Sequence, residues 1–299
     1  MNKTENTPVQ GGGPAAAGAS RKGLLFIFLA AVCFSLGGLL IKMIPWQAMS
    51  INCWRCGIST CILLLFARLS HRKLKLTKGV LLGAAAMCLT VSCYAVANKL
   101  TTAANTILIQ YTAPAFVILF LWLCFREKPK KLDVIACLLV FAGIACFVLD
   151  GLAAGNLAGN LIALVSGVGY AWVFLLNKIP GGDPLFSTIL GHALCFFIGL
   201  PFVVQETVYT GSAVQCAVLL GLFQLGLAYI FFTTGIRTAP PVSASLVSGI
   251  EPILNPVLVA LVVGETITGL SLAGGVIVFV TIMVYNVLSA RLEAKQAAA

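Results

Sequence analysis

PAFVILFLWLCFRE at residues 114–127 and PILNPVLVALVVGE at 252–265 decide how this chain reads. Each stretch opens on a proline, runs through mostly apolar residues and closes on a glutamate. Pro114 and Pro252 lie 138 positions apart, and so do Glu127 and Glu265. The same offset pairs Gly83 with Gly221, Lys99 with Arg237, Leu132 with Leu270, and Val140-Phe141 with Val278-Phe279. Nearer the N-terminus the offset is 136: Leu39-Leu40 meets Leu175-Leu176, Lys42 meets Lys178, and Phe34 meets Tyr170. A two-residue difference in loop length accounts for the shift. The chain is an internal duplication.

Outward from these stretches the sequence stays apolar. Hydrophobic residues make up 60% of the 299 positions and charged residues 9%, with a mean hydropathy of +1.03. A soluble domain carries about 25% charged residues, so this surface faces lipid. A spanning helix needs about 20 mostly apolar residues. Ten such runs are predicted, at 24–43, 49–69, 79–98, 102–125, 132–149, 157–177, 185–204, 213–236, 241–263 and 270–290. Pro45, His71-Arg72-Lys73, Lys128-Pro129-Lys130-Lys131, Asp150-Gly151, the stretch from Pro180 to Pro184, and Pro240-Pro241 separate them. The runs are continuous rather than alternating, which argues for helices over a β-barrel. Residues 1–22 and 291–299 read as tails, the first as a disordered one and not a signal peptide. Residues 23–150 and 151–290 read as the two repeats.

The net charge of +10 follows topology and does not indicate nucleic acid. With the N-terminus inside, sixteen of the nineteen Lys and Arg fall on the cytoplasmic side, Lys42 and Lys99 fall outside, and Arg55 lies within a helix. Positive residues favour the cytoplasm, so both termini are expected there, in the plasma membrane. Nearly all eleven cysteines lie in apolar runs, where cysteine acts as a small hydrophobe. Cys53-x-x-Cys56 has no second pair, and neither a metal nor another cofactor is expected.

Five helices per repeat is an odd number, so the second copy enters the membrane from the opposite side. The predicted fold is all-α and polytopic, with ten transmembrane helices in two inverted five-helix repeats. Secondary transporters recurrently use this design and bind substrate between the repeats.

Thr102-Ala103-Ala104 through Pro114, Glu127, the helix around Gly143, Pro252 and Gly264-Glu265 resemble the drug/metabolite transporter superfamily in its EamA-type branch. The resemblance covers residues 23–290. It implies ten helices, two repeats and the movement of small metabolites, with export as the expected direction. Arg126 stands where the second repeat has Gly264.

Polar groups within a bilayer are costly and mark candidate sites. Glu251 is expected ten residues into the ninth helix. There it shares a face with Ser248, Pro252 and Asn255, at helical spacing, with a proline break at Pro252 that frees a backbone carbonyl. Carboxylates withdrawn from water bind protons more readily, which suits proton coupling or a substrate amine; the alternative is a structural tie to another helix. Arg55 is placed to hold a substrate carboxylate, to pair with Glu251 or a backbone carbonyl, or to snorkel. Gln110, Tyr94, Asn98, Gln224, Tyr229 and Trp172 are further candidates to line a cavity. His192 reads as a packing histidine. Pro114, Pro252, Glu127 and Glu265 read as structural, the glutamates as caps of the helices that follow them. Gly79-x-x-x-Gly83 fits close helix packing and also allows a homodimer.

The expected partners are a small-molecule substrate, protons and the lipid bilayer. An amino acid or a related compound is the leading substrate, since Glu251 and Arg55 suit an amine and a carboxylate. An intramembrane enzyme is the rival class, but the chain has no His-Glu-x-x-His, no Gly-x-Ser-x-Gly and no P-loop. A channel-like carrier is the other, and channels typically show rings of filter residues.

Overall fold

The computed structural model describes residues 14–235 and 247–297. Where lipid offers no hydrogen-bond partner, helices satisfy their own backbone, and the described chain is helical almost throughout. The first repeat comprises α1 (Pro14–Met43), α2 (Ala48–Leu69), α3 (Lys78–Leu100), a broken segment made of α4 (Ala103–Gln110) and α5 (Ala113–Phe125), and α6 (Lys131–Ala154). The second comprises α7 (Leu157–Phe174), α8 (Pro184–Val203), a composite of α9 (Gly211–Leu219), a π-helix (Leu220–Leu227) and α10 (Ala228–Gly235), then α11 (Glu251–Val263) and α12 (Gly269–Ala297). Among the described residues nine segments are long and apolar enough to cross a membrane, and Glu251–Val263 is a shorter apolar one.

Side-chain caps set several starts. Thr77 accepts from Val80 N at 3.1 Å, Thr102 from Asn105 N at 3.0 Å, Asp183 from Phe186 N at 3.0 Å and Thr210 from Ala213 N at 3.2 Å. Each satisfies one of the unpaired amides of a first helical turn.

The helices pack in a two-fold pattern. Helix α2 lies against α8, α6 against α12, α1 against α10 and α11, and α7 against α3, α4 and α5. Each contact joins one repeat to the other, and each has its counterpart with the repeats exchanged. The outward faces of α6 and α12 expose Ile135, Leu138, Val276 and Val280, which suit lipid.

Several boundaries differ from those predicted. Helix α1 begins at Pro14, inside the expected tail, and α12 continues to Ala297. Helix α6 runs through Asp150-Gly151 to Ala154. Asp150 does not break it because its carboxylate is used: Thr268 and Ser271 donate hydroxyl hydrogen bonds to it at 2.7 and 2.6 Å. The start of the predicted 241–263 helix lies outside the described residues, as does Pro240-Pro241. Gly79 and Gly83 are not a free dimer face. A Cβ on Gly79 would meet Gly182 N at 2.7 Å, and one on Gly83 would meet Ser187 Oγ at 2.3 Å, so both glycines admit the chain's own α8 and the loop before it.

Candidate functional site

The fourth segment of the first repeat was expected to be continuous, and it is broken at Tyr111-Thr112. The ninth segment turns at Gly249-Ile250, positions that match at the 138-residue offset. Pro114 and Pro252 are the cause. Proline has no N–H and its ring clashes with the carbonyl four residues back, so each sits in the first turn of a new half-helix. The hydrogen bonds across the two breaks correspond as well: Ala115 N donates to Thr112 O at 3.0 Å and Ile253 N to Ile250 O at 3.2 Å. The Thr112 hydroxyl donates to Ile109 O at 2.6 Å and satisfies a carbonyl freed by the break.

The break moves Glu251. It opens α11 at its N-terminus instead of lying ten residues into a helix. Tyr111, at the opposing break, donates its hydroxyl to Glu251 Oε2 at 3.1 Å and to Ser248 O at 2.9 Å. The two breaks therefore touch through one tyrosine. Tyr111 was not singled out from sequence; its position three residues before Pro114 was the available signal.

Glu251, Tyr111, Arg55, Tyr94, Gln110, Gln224 and Tyr229 line one cavity, together with Phe34, Tyr170, Thr90, Val91 and Leu225. These residues come from both repeats. The cavity is narrow: the centres of water molecules can occupy about 40 Å³ of it. That holds a few waters, and a solute of metabolite size needs more room than this arrangement leaves.

Arg55 is fully buried and does not snorkel. Nε donates to Asn52 Oδ1 at 3.1 Å, one terminal nitrogen to Gln224 Oε1 at 3.3 Å and the other to Val91 O at 2.7 Å. The guanidinium carbon lies 5.8 Å from the centre of the Tyr94 ring, within cation–π reach. Arg55 and Glu251 form no ion pair; its protein acceptors are all neutral. Gln224 meets it from the π-helix, a geometry often found at functional sites and not predicted for the eighth segment.

The other candidates fall outside the lining. Asn255 donates to the Tyr94 hydroxyl at 3.3 Å, and its Oδ1 packs against Gly38, where a Cβ would approach to 2.3 Å. Ser248 contributes its carbonyl to Tyr111. Asn98 donates to Tyr94 O at 2.9 Å, within its own helix. Trp172 stacks on Phe120 with ring centres 4.8 Å apart. His192 Nδ1 shares a 3.0 Å hydrogen bond with Ser59 Oγ, and its ring packs on Tyr229. The glutamates do not cap the helices that follow them. Glu265 pairs with Lys42 at 2.7 Å and accepts from Ala103 N at 2.8 Å, while Glu127 pairs with Lys178.

Inverted repeats with broken helices meeting at a shared polar cavity define a membrane transporter. Comparison with known proteins makes this specific. The sequence model of the EamA-like transporter family matches residues 21–149 and 157–287, and the chain belongs to that family. It is 25% identical over 274 residues to an uncharacterized transporter of Clostridium kluyveri, covering 83% of this chain and 87% of that protein. It is 24% identical over 245 residues to human solute carrier family 35 member G1, covering 72% of this chain and 65% of that protein. One crystal structure superposes with a TM-score of 0.63 at 18% identity, over 91% of this chain and 99% of its own; this likeness concerns the fold alone.

Proposed function

We propose that this transporter is a proton-coupled exporter of a small zwitterionic metabolite such as an amino acid, working in the plasma membrane with both termini cytoplasmic. The observation that carries the reading is that Glu251 and Arg55 line one cavity between the repeats without neutralising each other. An opposite pair of charges left apart suits a solute with an amine and a carboxylate. The guanidinium offers hydrogen bonds to the carboxylate, and the tyrosine rings favour the ammonium. Glu251 is the proton carrier in this reading: it exchanges its proton for the substrate amine, with Tyr111 orienting the carboxylate. Export rests on the family resemblance, and the sidedness on the excess of Lys and Arg assigned to the cytoplasm. The Gly79-x-x-x-Gly83 pattern is used within the chain.

Inside-out vesicles under an imposed pH gradient test this, with a panel of amino acids, purines and organic cations. Saturable accumulation driven by the gradient and lost in Glu251→Gln is the expected result. Unchanged coupling in a well-folded Glu251→Gln protein overturns the proton role. Transport of organic cations in preference to amino acids overturns the zwitterion.

A further inference from the structure

The described residues contain two ion pairs, Lys42–Glu265 and Lys178–Glu127. They are the same pair twice. Lys42 and Lys178 are equivalent at the 136-residue offset and Glu127 and Glu265 at the 138-residue offset. Lys42 lies in the last turn of α1, and Lys178 closes the short 3-10 turn that follows α7. Glu127 follows the end of α5 and Glu265 the end of α11. Each pair thus ties the first segment of one repeat to the end of the fourth segment of the other. Because the repeats are inverted, the pairs sit at opposite ends of the path through the cavity.

They are unequally tight. The Lys42 and Glu265 side chains are 18% and 20% exposed, against 45% and 51% for Lys178 and Glu127. The first pair also engages the backbone at the start of α4: Lys42 Nζ donates to Thr101 O at 2.8 Å, and Ala103 N donates to Glu265 Oε2 at 2.8 Å. Helix α4 is eight residues long, about 12 Å at 1.5 Å per residue, and its far end carries Gln110 into the cavity wall. A rigid half-helix therefore joins this pair to the site.

We infer that Lys42–Glu265 and Lys178–Glu127 are the latches of two alternating gates, one at each face. Both are closed here, which agrees with the narrow cavity. Opening one face breaks its latch while the other holds, and solute in the cavity acts on the Lys42 latch through α4. The inference rests on the transporter class alone, and not on the choice of proton or amino acid.

Hydrogen exchange on the full-length protein in nanodiscs tests it without a substrate. Glu265→Ala and Lys42→Met are expected to raise amide exchange at 101–106 by about tenfold or more, as for one lost hydrogen bond to a charged group. They are also expected to lower exchange at 121–131, because populating the state open at one face depletes the state open at the other. Glu127→Ala and Lys178→Met should give the mirror result, with a smaller rise. Should Glu265→Ala fail to fold, Lys42→Met decides, since it leaves the bond from Ala103 N to Glu265 in place. A rise confined to the broken face is local fraying and overturns the latches, and so does no rise at all. Reciprocal exchange in a protein that moves no solute of the panel would keep the latches and remove the proposed substrate.

Discussion

The two broken helices share a backbone and differ in chemistry. At the first break the residue that opens the second half-helix is Ala113; at the equivalent position of the other it is Glu251. The prolines that follow correspond, and so do the hydrogen bonds across the breaks. The half-helices also end alike, on left-handed residues: Arg126 at φ 57° and Gly264 at φ 74°. Duplication thus preserved the scaffold of both breaks, while a carboxylate was placed at one of them only. Structural symmetry and functional symmetry are separate properties here.

Ala113→Glu attacks this comparison most severely. Ala113 is 1% exposed, and an uncompensated buried carboxylate costs several kcal/mol. Loss of monodisperse protein on size exclusion is the expected outcome. If Ala113→Glu instead folded and restored coupling to a Glu251→Gln background, the two breaks would be interchangeable and the asymmetry incidental.

Glu251→Gln comes next. It keeps an acceptor for Tyr111 but removes the charge, and gradient-driven accumulation should fall by about 10- to 100-fold, the range for an interaction with a charged group. The vesicle assay reads this directly. Tyr111→Phe is milder. It removes one hydroxyl shared between Ser248 O and Glu251, worth about 1 kcal/mol. A shift of about fivefold in half-saturation, with the maximal rate nearly kept, would show that the tyrosine orients Glu251.

The smallest effects lie at the helix ends and should have opposite signs. Arg126 is an exposed, non-glycine residue in the left-handed region, which costs about 1 kcal/mol or more. Arg126→Gly should raise thermal stability by about 1 kcal/mol, and Gly264→Ala should lower it by a similar amount. A Cβ at Gly264 would meet nothing within 4 Å, so that loss would be purely conformational. Equal signs for the two variants would mean that the ends are not equivalent.

The duplication, the helical class and the inverted arrangement were legible in the sequence because each depends on a local quantity: apolar run length, a fixed offset, an odd helix count. Pro114 and Pro252 were visible too, and the break at Pro252 was legible, but the one at Pro114 was not, since a proline kinks one helix and ends another according to what receives the freed carbonyls. The ten-run pattern still placed Glu251 inside a helix that begins at it. Six of the expected site residues, Glu251, Arg55, Gln110, Tyr94, Gln224 and Tyr229, share the cavity lining, because polar groups in apolar segments turn toward one another. Asn98 and Trp172 do not. One bonds its own helix and the other stacks on Phe120, alternatives that helical spacing does not distinguish.

What the sequence determined by itself is the membrane class and the two-repeat plan, since the exclusion of charge and the repetition of residues act along the chain. Tertiary structure alone decided that Arg55 is held by Asn52, Gln224 and Val91 instead of Glu251, that Tyr111 reaches Glu251 across the two breaks, and that each Lys–Glu pair joins one repeat to the other. Apart from the local bond between Arg55 and Asn52, those contacts link residues 36 to 223 positions apart. Their partners are chosen by how the helices pack, and a single chain read end to end carries no record of that choice.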